Sequence, residues 1–254
     1  MSLFVENESV VKKIWGKSDT ILLIFAGAAA EFALNKAVDW LYYTGKLPAD
    51  PIGRLFSTVA YARKIVFSSK EDAHKALDTI RQIHRTVEDN RGAVIPDWAY
   101  RDVLFMLIYY SKASYELLER KLTDDEKEDV YSVFYKVGTR MGLKELPPTY
   151  NDWLPVRKEH LKNNLQWSLY THNLFEQYNK HLGSFRYWLL REAQKLIVPK
   201  PVKQLLQFSS FSWLTPAIPV YKICRLLKMD RLIKNILLPN SYKVQIAELD
   251  KFTS

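Results

Sequence analysis

The side chains best suited to chemistry in this chain are the guanidinium of Arg54, the hydroxyl of Thr58 and the imidazole of His84. Arg54 and Thr58 are four residues apart, so they share one face if their segment is helical. A neutral imidazole can ligate a metal ion, and a guanidinium can bind a carboxylate or another anion. Together the three groups would suit a metal-containing, anionic cofactor, provided that the fold brings them together.

Two predicted helices position these side chains. Asp50-Pro51 is typical of an N-cap followed by proline at the first helical position, and this helix is expected to run to about Phe67. Ser68-Ser69-Lys70-Glu71 indicates a capping box that opens the next helix, which is expected to run to about Glu88. Because only about two residues join the helices, they should pack antiparallel as a hairpin. In such a hairpin His84 lies about half a turn from the level of Arg54.

His84 belongs to the predicted apolar face of its helix. The residues of this face recur at helical spacing and are Ala73, Ala76, Leu77, Ile80, Ile83, His84 and Val87. The imidazole should therefore point inward, where two roles are open: a core histidine that bonds backbone carbonyl groups, or a ligand of haem iron. Haem would also need an apolar slot, and the candidates to line it are Ile80, Ile83, Val87, Leu55 and Phe56.

The rest of the sequence predicts an all-α fold, a single-domain bundle of about eight to ten helices. No segment shows sustained alternation of apolar and polar residues, so strands are not expected. Thr123-Asp124-Asp125-Glu126 is typical of a second capping box, and Gly142 suits the residue after that helix. The other expected helices run from Ser18 or Asp19 to about Tyr43, from Asp97 to Lys121, from Trp153 to His181, and from Ser184 to Ile197.

Composition narrows the class of protein. The 254 residues suffice for one large domain, and the single cysteine, Cys224, excludes an intramolecular disulfide and fits a reducing compartment. The uncharged stretch from Thr20 to Ala30 is shorter than the roughly 20 residues that a membrane span needs, and Glu31 follows it. We therefore expect a buried helix there and a cytoplasmic protein. No pair of histidines or cysteines has the spacing of a zinc site.

The C-terminal part carries most of the positive charge. From Tyr187 onward there are 11 Lys and Arg against 4 Asp and Glu. We expect a helical core over residues 1–205 and a basic amphipathic extension over residues 206–254. Its cations recur every third residue, at Lys222, Arg225, Lys228, Arg231 and Lys234. The extension would contact an anionic membrane surface through residues 204–238 or dock on the core, and nucleic acid is not expected as a partner.

Two segments of the predicted hairpin carry a family resemblance. Asp50-Pro51-Ile52-Gly53-Arg54-Leu55-Phe56-Ser57-Thr58, followed by Ile83-His84-Arg85-Thr86-Val87, resembles the MpaB and latex-clearing-protein family of haem b oxygenases. The matching pattern is G-R-L-x-x-T followed by H-x-x-V about one helix later. Weaker similarity at Gly142–Pro147, Arg186–Leu190 and Ile197–Pro199 extends the resemblance over roughly residues 30–205.

This resemblance implies a function and a set of site residues. His84 would be the metal ligand of haem b, and Arg54 and Thr58 would be catalytic and cofactor-binding residues close to the haem. The substrates would be O2 and an apolar small molecule such as an isoprenoid chain. Two alternatives remain: a haem protein of this family with other chemistry, and a non-catalytic helical protein that binds an apolar ligand or a membrane surface.

The sequence departs from the family pattern at three places. Family members often carry W-V-H on the helix after the histidine, whereas Pro96–Asp102 contains no histidine. Ser57 lies where some relatives have a lysine. Some relatives also use an acid upstream of the arginine as a base, and Glu31 and Asp39 are the nearest candidates. These departures bear on the reaction more than on the fold.

Overall fold

The chain folds into an all-α bundle in the computed structural model, which describes residues 2–45 and 49–226, without the side chains of Leu55 and Leu226. The described residues form twelve helices and no strand, and nine of the helices have seven or more residues, which confirms the predicted fold class. The helices are α1 Val10–Trp15, α2 Ser18–Phe32, α3 Val38–Tyr43, α4 Pro51–Phe67, α5 Lys70–Arg91, α6 Asp97–Leu118, α7 Asp124–Met141, α8 Tyr150–Asn163, α9 Leu169–Leu182, α10 Ser184–Ile197, α11 Lys200–Leu205 and α12 Ala217–Leu226.

Local capping signals determine where several of these helices begin and end. The Asp50 carboxylate accepts a hydrogen bond from the Gly53 N–H at 2.8 Å, ahead of Pro51 at the start of α4. Thr123 and Glu126 form the predicted reciprocal capping box of α7. Gly142 ends α7 with a positive φ of 85°, a conformation that glycine adopts without steric cost. These three predictions are confirmed.

Two predicted helices are each divided into two, so the expectation of continuous helices over Ser18–Tyr43 and Trp153–His181 is wrong. The cause is tertiary contact between the two breaks. Asn35 and Leu165 pair as an antiparallel bridge, and the Asn35 side chain accepts a hydrogen bond from the Ala37 N–H at 2.8 Å. Backbone groups at one break therefore find partners at the other break and not in a continuing helix.

Helices α2 and α6 form the centre of the bundle, and α2 confirms that Thr20–Ala30 is a buried helix. Gly27 lets the two helices approach closely, because a β-carbon placed there would lie 2.3 Å from the Tyr110 ring. Trp15, Phe105 and Trp153 are among the largest fully buried side chains around this pair. None of the helices in the described ranges combines the length and the apolar character that crossing a bilayer requires.

Helices α4 and α5 pack against each other as the predicted hairpin, with Ser68 and Ser69 between them. Ser69 caps α5 by accepting a hydrogen bond from the Asp72 N–H. The predicted apolar face is correct for the first half of α5, where Ala73, Ala76 and Leu77 are buried. It is wrong at Ile83, which is 42% exposed. The second half of α5 lies further from the core.

Helix α12 contacts the core through its basic side chains. Arg225 pairs with Glu119 and, at 3.3 Å, with Asp19. The Tyr221 hydroxyl donates a hydrogen bond to Asp19 at 3.0 Å. The Lys222 ammonium group lies 3.5 Å from the Glu119 carbonyl oxygen. The predicted cations Lys228, Arg231 and Lys234 lie outside the described residues.

Candidate functional site

His84 lies on α5, half-buried beside the hairpin partner α4. Its Nδ1 atom is buried and has no hydrogen-bond partner among the described residues. Burial, together with the positive charge of Arg54, lowers the pKa of His84, and Glu88 only partly opposes this shift. The imidazole therefore favours its neutral form, which is the form that ligates a metal.

Arg54 lies on the α4 side of the hairpin, close enough to act electrostatically on His84. Burial lowers the pKa of its guanidinium, and the neighbouring Tyr61 phenol opposes this shift. Within the described part of the chain Arg54 forms no ion pair. A partly buried cation without a carboxylate partner is suited to bind an anionic group from outside the fold.

Thr58 is half-buried one turn after Arg54 on α4. Its hydroxyl donates a hydrogen bond to the Arg54 carbonyl oxygen at 3.1 Å. Ser57 donates to the same carbonyl at 2.8 Å and is exposed. Thr58 therefore has its proton bonded to its own helix, and only its oxygen lone pairs remain to accept a hydrogen bond.

Tyr100 and Glu88 complete the surroundings of His84, and the sequence analysis did not identify either residue. The Tyr100 ring lies 5.1 Å from the His84 ring, centroid to centroid. Glu88 accepts hydrogen bonds from the Tyr100 hydroxyl at 3.2 Å and from the Ile95 N–H at 2.8 Å. Glu88 thereby holds both the Tyr100 ring beside His84 and the loop that precedes α6. One signal was available: Glu88 follows His84 by four residues, which places both side chains on one face of α5.

The two acids considered as bases are bonded elsewhere. Glu31 is fully buried and pairs with Arg157 at 2.6 Å, and it accepts a hydrogen bond from the Tyr110 hydroxyl at 2.9 Å. Asp39 pairs with Arg91 at 2.7 Å. The structure therefore brings Arg54 and His84 together and gives both acids cationic partners of their own.

The aromatic residues of α6 serve the core more than a cavity. Tyr110 is fully buried, and both Tyr109 and Tyr110 pack within the hydrophobic core. A cavity of about 350 Å³ lies instead among α9, α10 and α11, where Tyr187 and Arg191 belong to its lining. Over the described ranges, no group of three or more His, Cys, Asp and Glu residues could hold a metal ion.

The chain matches a known protein family over most of its length. The sequence model of the family described as "ER-bound oxygenase mpaB/B'/Rubber oxygenase, catalytic domain" matches residues 15–225. The match covers all of α4 and α5, including Arg54, Thr58 and His84. No curated protein matches the chain significantly.

Proposed function

This chain belongs to the family of MpaB and rubber oxygenases, and on that premise we propose that it is a haem b-dependent oxygenase with His84 as its iron ligand. Family membership gives the chain an oxygenase catalytic domain, for which O2 and a small molecule are the general substrates. The proposal adds the cofactor, the roles of three residues and the apolar nature of the second substrate.

One observation carries the proposal: the half-buried imidazole of His84 has an unpartnered Nδ1, and it feels the charge of a guanidinium that forms no ion pair within the described residues. A histidine that serves only the fold bonds its ring nitrogens to the protein or to water. His84 lacks such a bond within the described residues, and Arg54 supplies a positive charge suited to a haem propionate. The residues present therefore fit haem b.

The roles of the surrounding side chains follow from their contacts. Haem b would supply an iron centre at which O2 is activated. Tyr100, held by Glu88, limits the rotation of the His84 ring by packing against it at 5.1 Å. Arg54 would bind an anionic group, and its charge adds to burial in lowering the pKa of His84. Thr58 would accept a hydrogen bond through its remaining lone pairs.

The test is the absorption spectrum of the purified full-length chain after reconstitution with haemin. We expect a Soret band, with about one haem per chain by pyridine haemochrome. His84→Ala should abolish the band, and adding imidazole should partly restore it by filling the vacated position. The matched control is His74→Ala, because His74 is half-buried on the same helix and packs on the Phe4 ring.

Two results would overturn the cofactor assignment. The first is a wild-type chain that retains no haem after incubation with haemin while its circular dichroism shows intact helices. That outcome would favour the alternative of a non-catalytic protein that binds an apolar ligand. The second is a Soret band of unchanged position and intensity in His84→Ala.

We also propose that a membrane surface contacts residues 204–226, with the apolar side chains as the contact. Phe211, Trp213, Val220 and Ile223 are 51–66% exposed, whereas Arg225 faces core carboxylates. Aromatic and aliphatic side chains exposed beside basic residues are typical of helices that lie in the bilayer interface. Such a contact would give an oxygenase access to a substrate dissolved in lipid.

Liposome flotation tests the membrane contact. The double variant Trp213→Ser, Ile223→Ser should lose most binding to vesicles of mixed zwitterionic and anionic lipids. Val94→Ser is the matched control, because Val94 is 78% exposed on a loop between α5 and α6. Equal flotation of the double variant and the wild type would exclude this surface.

A further inference from the structure

The cavity among α9, α10 and α11 is separate from the hairpin. Neither Arg54, Thr58 nor His84 is part of its lining. Its volume of about 350 Å³ is within the range of small-molecule sites. Trp167 and Leu205 contribute apolar lining. Polar side chains, among them His172 and Gln207, also line the cavity, so it suits a ligand that has both an apolar and a polar part.

Arg191 is the exceptional residue of this cavity. Its guanidinium carbon lies 4.3 Å from the ring centroid of Phe175 and 4.3 Å from that of Phe208. Two aromatic rings therefore lie at cation–π distance from the guanidinium. The N–H groups in the plane of the guanidinium have the geometry that binds a carboxylate through two parallel hydrogen bonds.

Those in-plane donors are not satisfied by the protein. The Arg191 Nη1 atom is buried and has no hydrogen-bond partner, and Arg191 forms no ion pair within the described ranges. The adjacent acid, Glu192, is bonded to Lys195 at 2.5 Å and to the Trp213 N–H at 2.7 Å. Burial lowers the pKa of Arg191, as expected for a cation that lacks a compensating anion.

We propose that this cavity binds a small carboxylate with an apolar or aromatic body, its carboxylate on Arg191. The ligand would satisfy the orphaned Nη1 donor, and its body would lie against the apolar lining that includes Trp167 and Leu205. A neutral ligand would leave the guanidinium uncompensated, so the site discriminates by charge. This site is independent of haem at His84.

The backbone at Gln207 adds a second indication. Gln207 lines the cavity with a φ of 51°, a conformation that glycine favours and other residues seldom adopt. It follows the last turn of α11, where the Phe208 N–H bonds the Lys203 carbonyl oxygen at 2.9 Å. Glycine is the common residue at such a helix end. A glutamine there places a polar side chain at the cavity despite its backbone cost.

The experiment compares two probes of nearly equal shape, 4-phenylbutyrate and the neutral 4-phenylbutan-1-ol, by titration calorimetry on the full-length, haem-reconstituted chain. We expect measurable binding of the carboxylate and at least about tenfold weaker binding of the alcohol. Arg191→Ala should weaken carboxylate binding by about tenfold or more and leave alcohol binding unchanged. Arg191→Lys should give an intermediate loss, because lysine keeps the charge without the planar donor pair.

Matched controls keep the test decisive. Arg186→Ala removes a half-buried cation from the same helix outside the cavity and should leave carboxylate affinity unchanged. Gln207→Gly should weaken binding while keeping or raising thermal stability, an outcome that a purely structural role would not give. Equal affinity for both probes would overturn the proposal. Competition between haemin and 4-phenylbutyrate would also overturn it, because the cavity would then belong to the haem site.

Discussion

His84 and His160 carry the same imidazole side chain but differ in the hydrogen bonding of the Nδ1 atom. Each packs against one aromatic ring at 5.1 Å, Tyr100 for His84 and Phe105 for His160. The His160 Nδ1 atom is hydrogen-bonded to Asp102, whose other oxygen accepts from Asn35 at 2.7 Å and from Asn164 at 3.0 Å. The His84 Nδ1 atom has no such partner within the described residues.

This difference separates a histidine that serves the fold from one that is free to bind a ligand. His160 and its partners join α6 and α8 to the break after α2. Removal of the imidazole therefore leaves one oxygen of the Asp102 carboxylate without its hydrogen bond. Among the described residues, His84 is near the Tyr100 ring and the charges of Arg54 and Glu88, and its Nδ1 atom has no hydrogen-bond partner. Burial alone does not distinguish the two histidines, whereas the number of satisfied donors and acceptors does.

The largest predicted effect concerns the ion pair one turn before His160. Arg157→Met should lower the free energy of unfolding by about 3–5 kcal/mol, because it leaves the Glu31 carboxylate buried and unpaired. Urea unfolding followed by circular dichroism measures this loss. The double variant Glu31→Gln, Arg157→Met should recover most of it, and an unchanged midpoint in Arg157→Met alone would contradict the argument.

A smaller loss is expected for the structural histidine itself. His160→Ala should cost about 1–3 kcal/mol, because Asp102 loses one of its hydrogen bonds inside the bundle. The measurement is again urea unfolding, with the exposed His172→Ala as the control. Haem content should not change. A loss of haem in His160→Ala without unfolding would break the distinction drawn between the two histidines.

For His84 the expected effect on stability is smaller still. His84→Ala should change the free energy of unfolding of the haem-free chain by less than about 1 kcal/mol, because the imidazole forms no hydrogen bond within the described residues. Paired measurements of urea unfolding and Soret absorbance distinguish the two roles. A haem-free variant that unfolds as easily as His160→Ala would assign His84 to the fold.

The smallest effect on stability is expected at the surface, where α12 contacts Glu119. Burial would raise the pKa of Glu119, but hydrogen bonds from Lys17 and Arg225 outweigh it and lower the pKa. The stabilisation that the ionised Glu119 gives to the folded chain is therefore present above the ordinary glutamate pKa. It is lost as the pH falls through the lowered pKa of Glu119. Hydrogen exchange of the α12 amides, corrected for intrinsic rates, should quicken at acidic pH. Glu119→Gln should remove most of this pH dependence.

Helix ends with local signals could be predicted from the sequence, and helix breaks could not. Thr123 with Glu126, and Asp50 with Pro51, carry their capping partners within three residues. The break at Asn35 depends on Leu165 and Asp102, which are distant in the chain. A pattern of apolar spacing contains no information about such distant partners, so each divided helix was predicted as one.

For the candidate site too, local sequence signals could be predicted and contacts between distant segments could not. The short connection between α4 and α5 sufficed to predict that Arg54 lies near His84, where its positive charge adds to burial in lowering the pKa of the imidazole. Tyr100 was missed because it reaches His84 across a loop held by a hydrogen bond from the Ile95 N–H to Glu88. Ile83 was wrongly assigned to the core because helical spacing does not reveal where α5 leaves the bundle.

The contacts of α12 also bear on the order in which the chain folds. The Tyr221 hydroxyl bonds to Asp19, a residue 202 positions earlier. At about 5–20 residues per second of synthesis, Asp19 leaves the ribosome about 10–40 s before its partner. Of the two cations that pair with Glu119, Lys17 is synthesised before it and Arg225 about 100 residues after it. Docking of α12 on Asp19 and Glu119 can therefore begin only after the rest of the bundle has been synthesised.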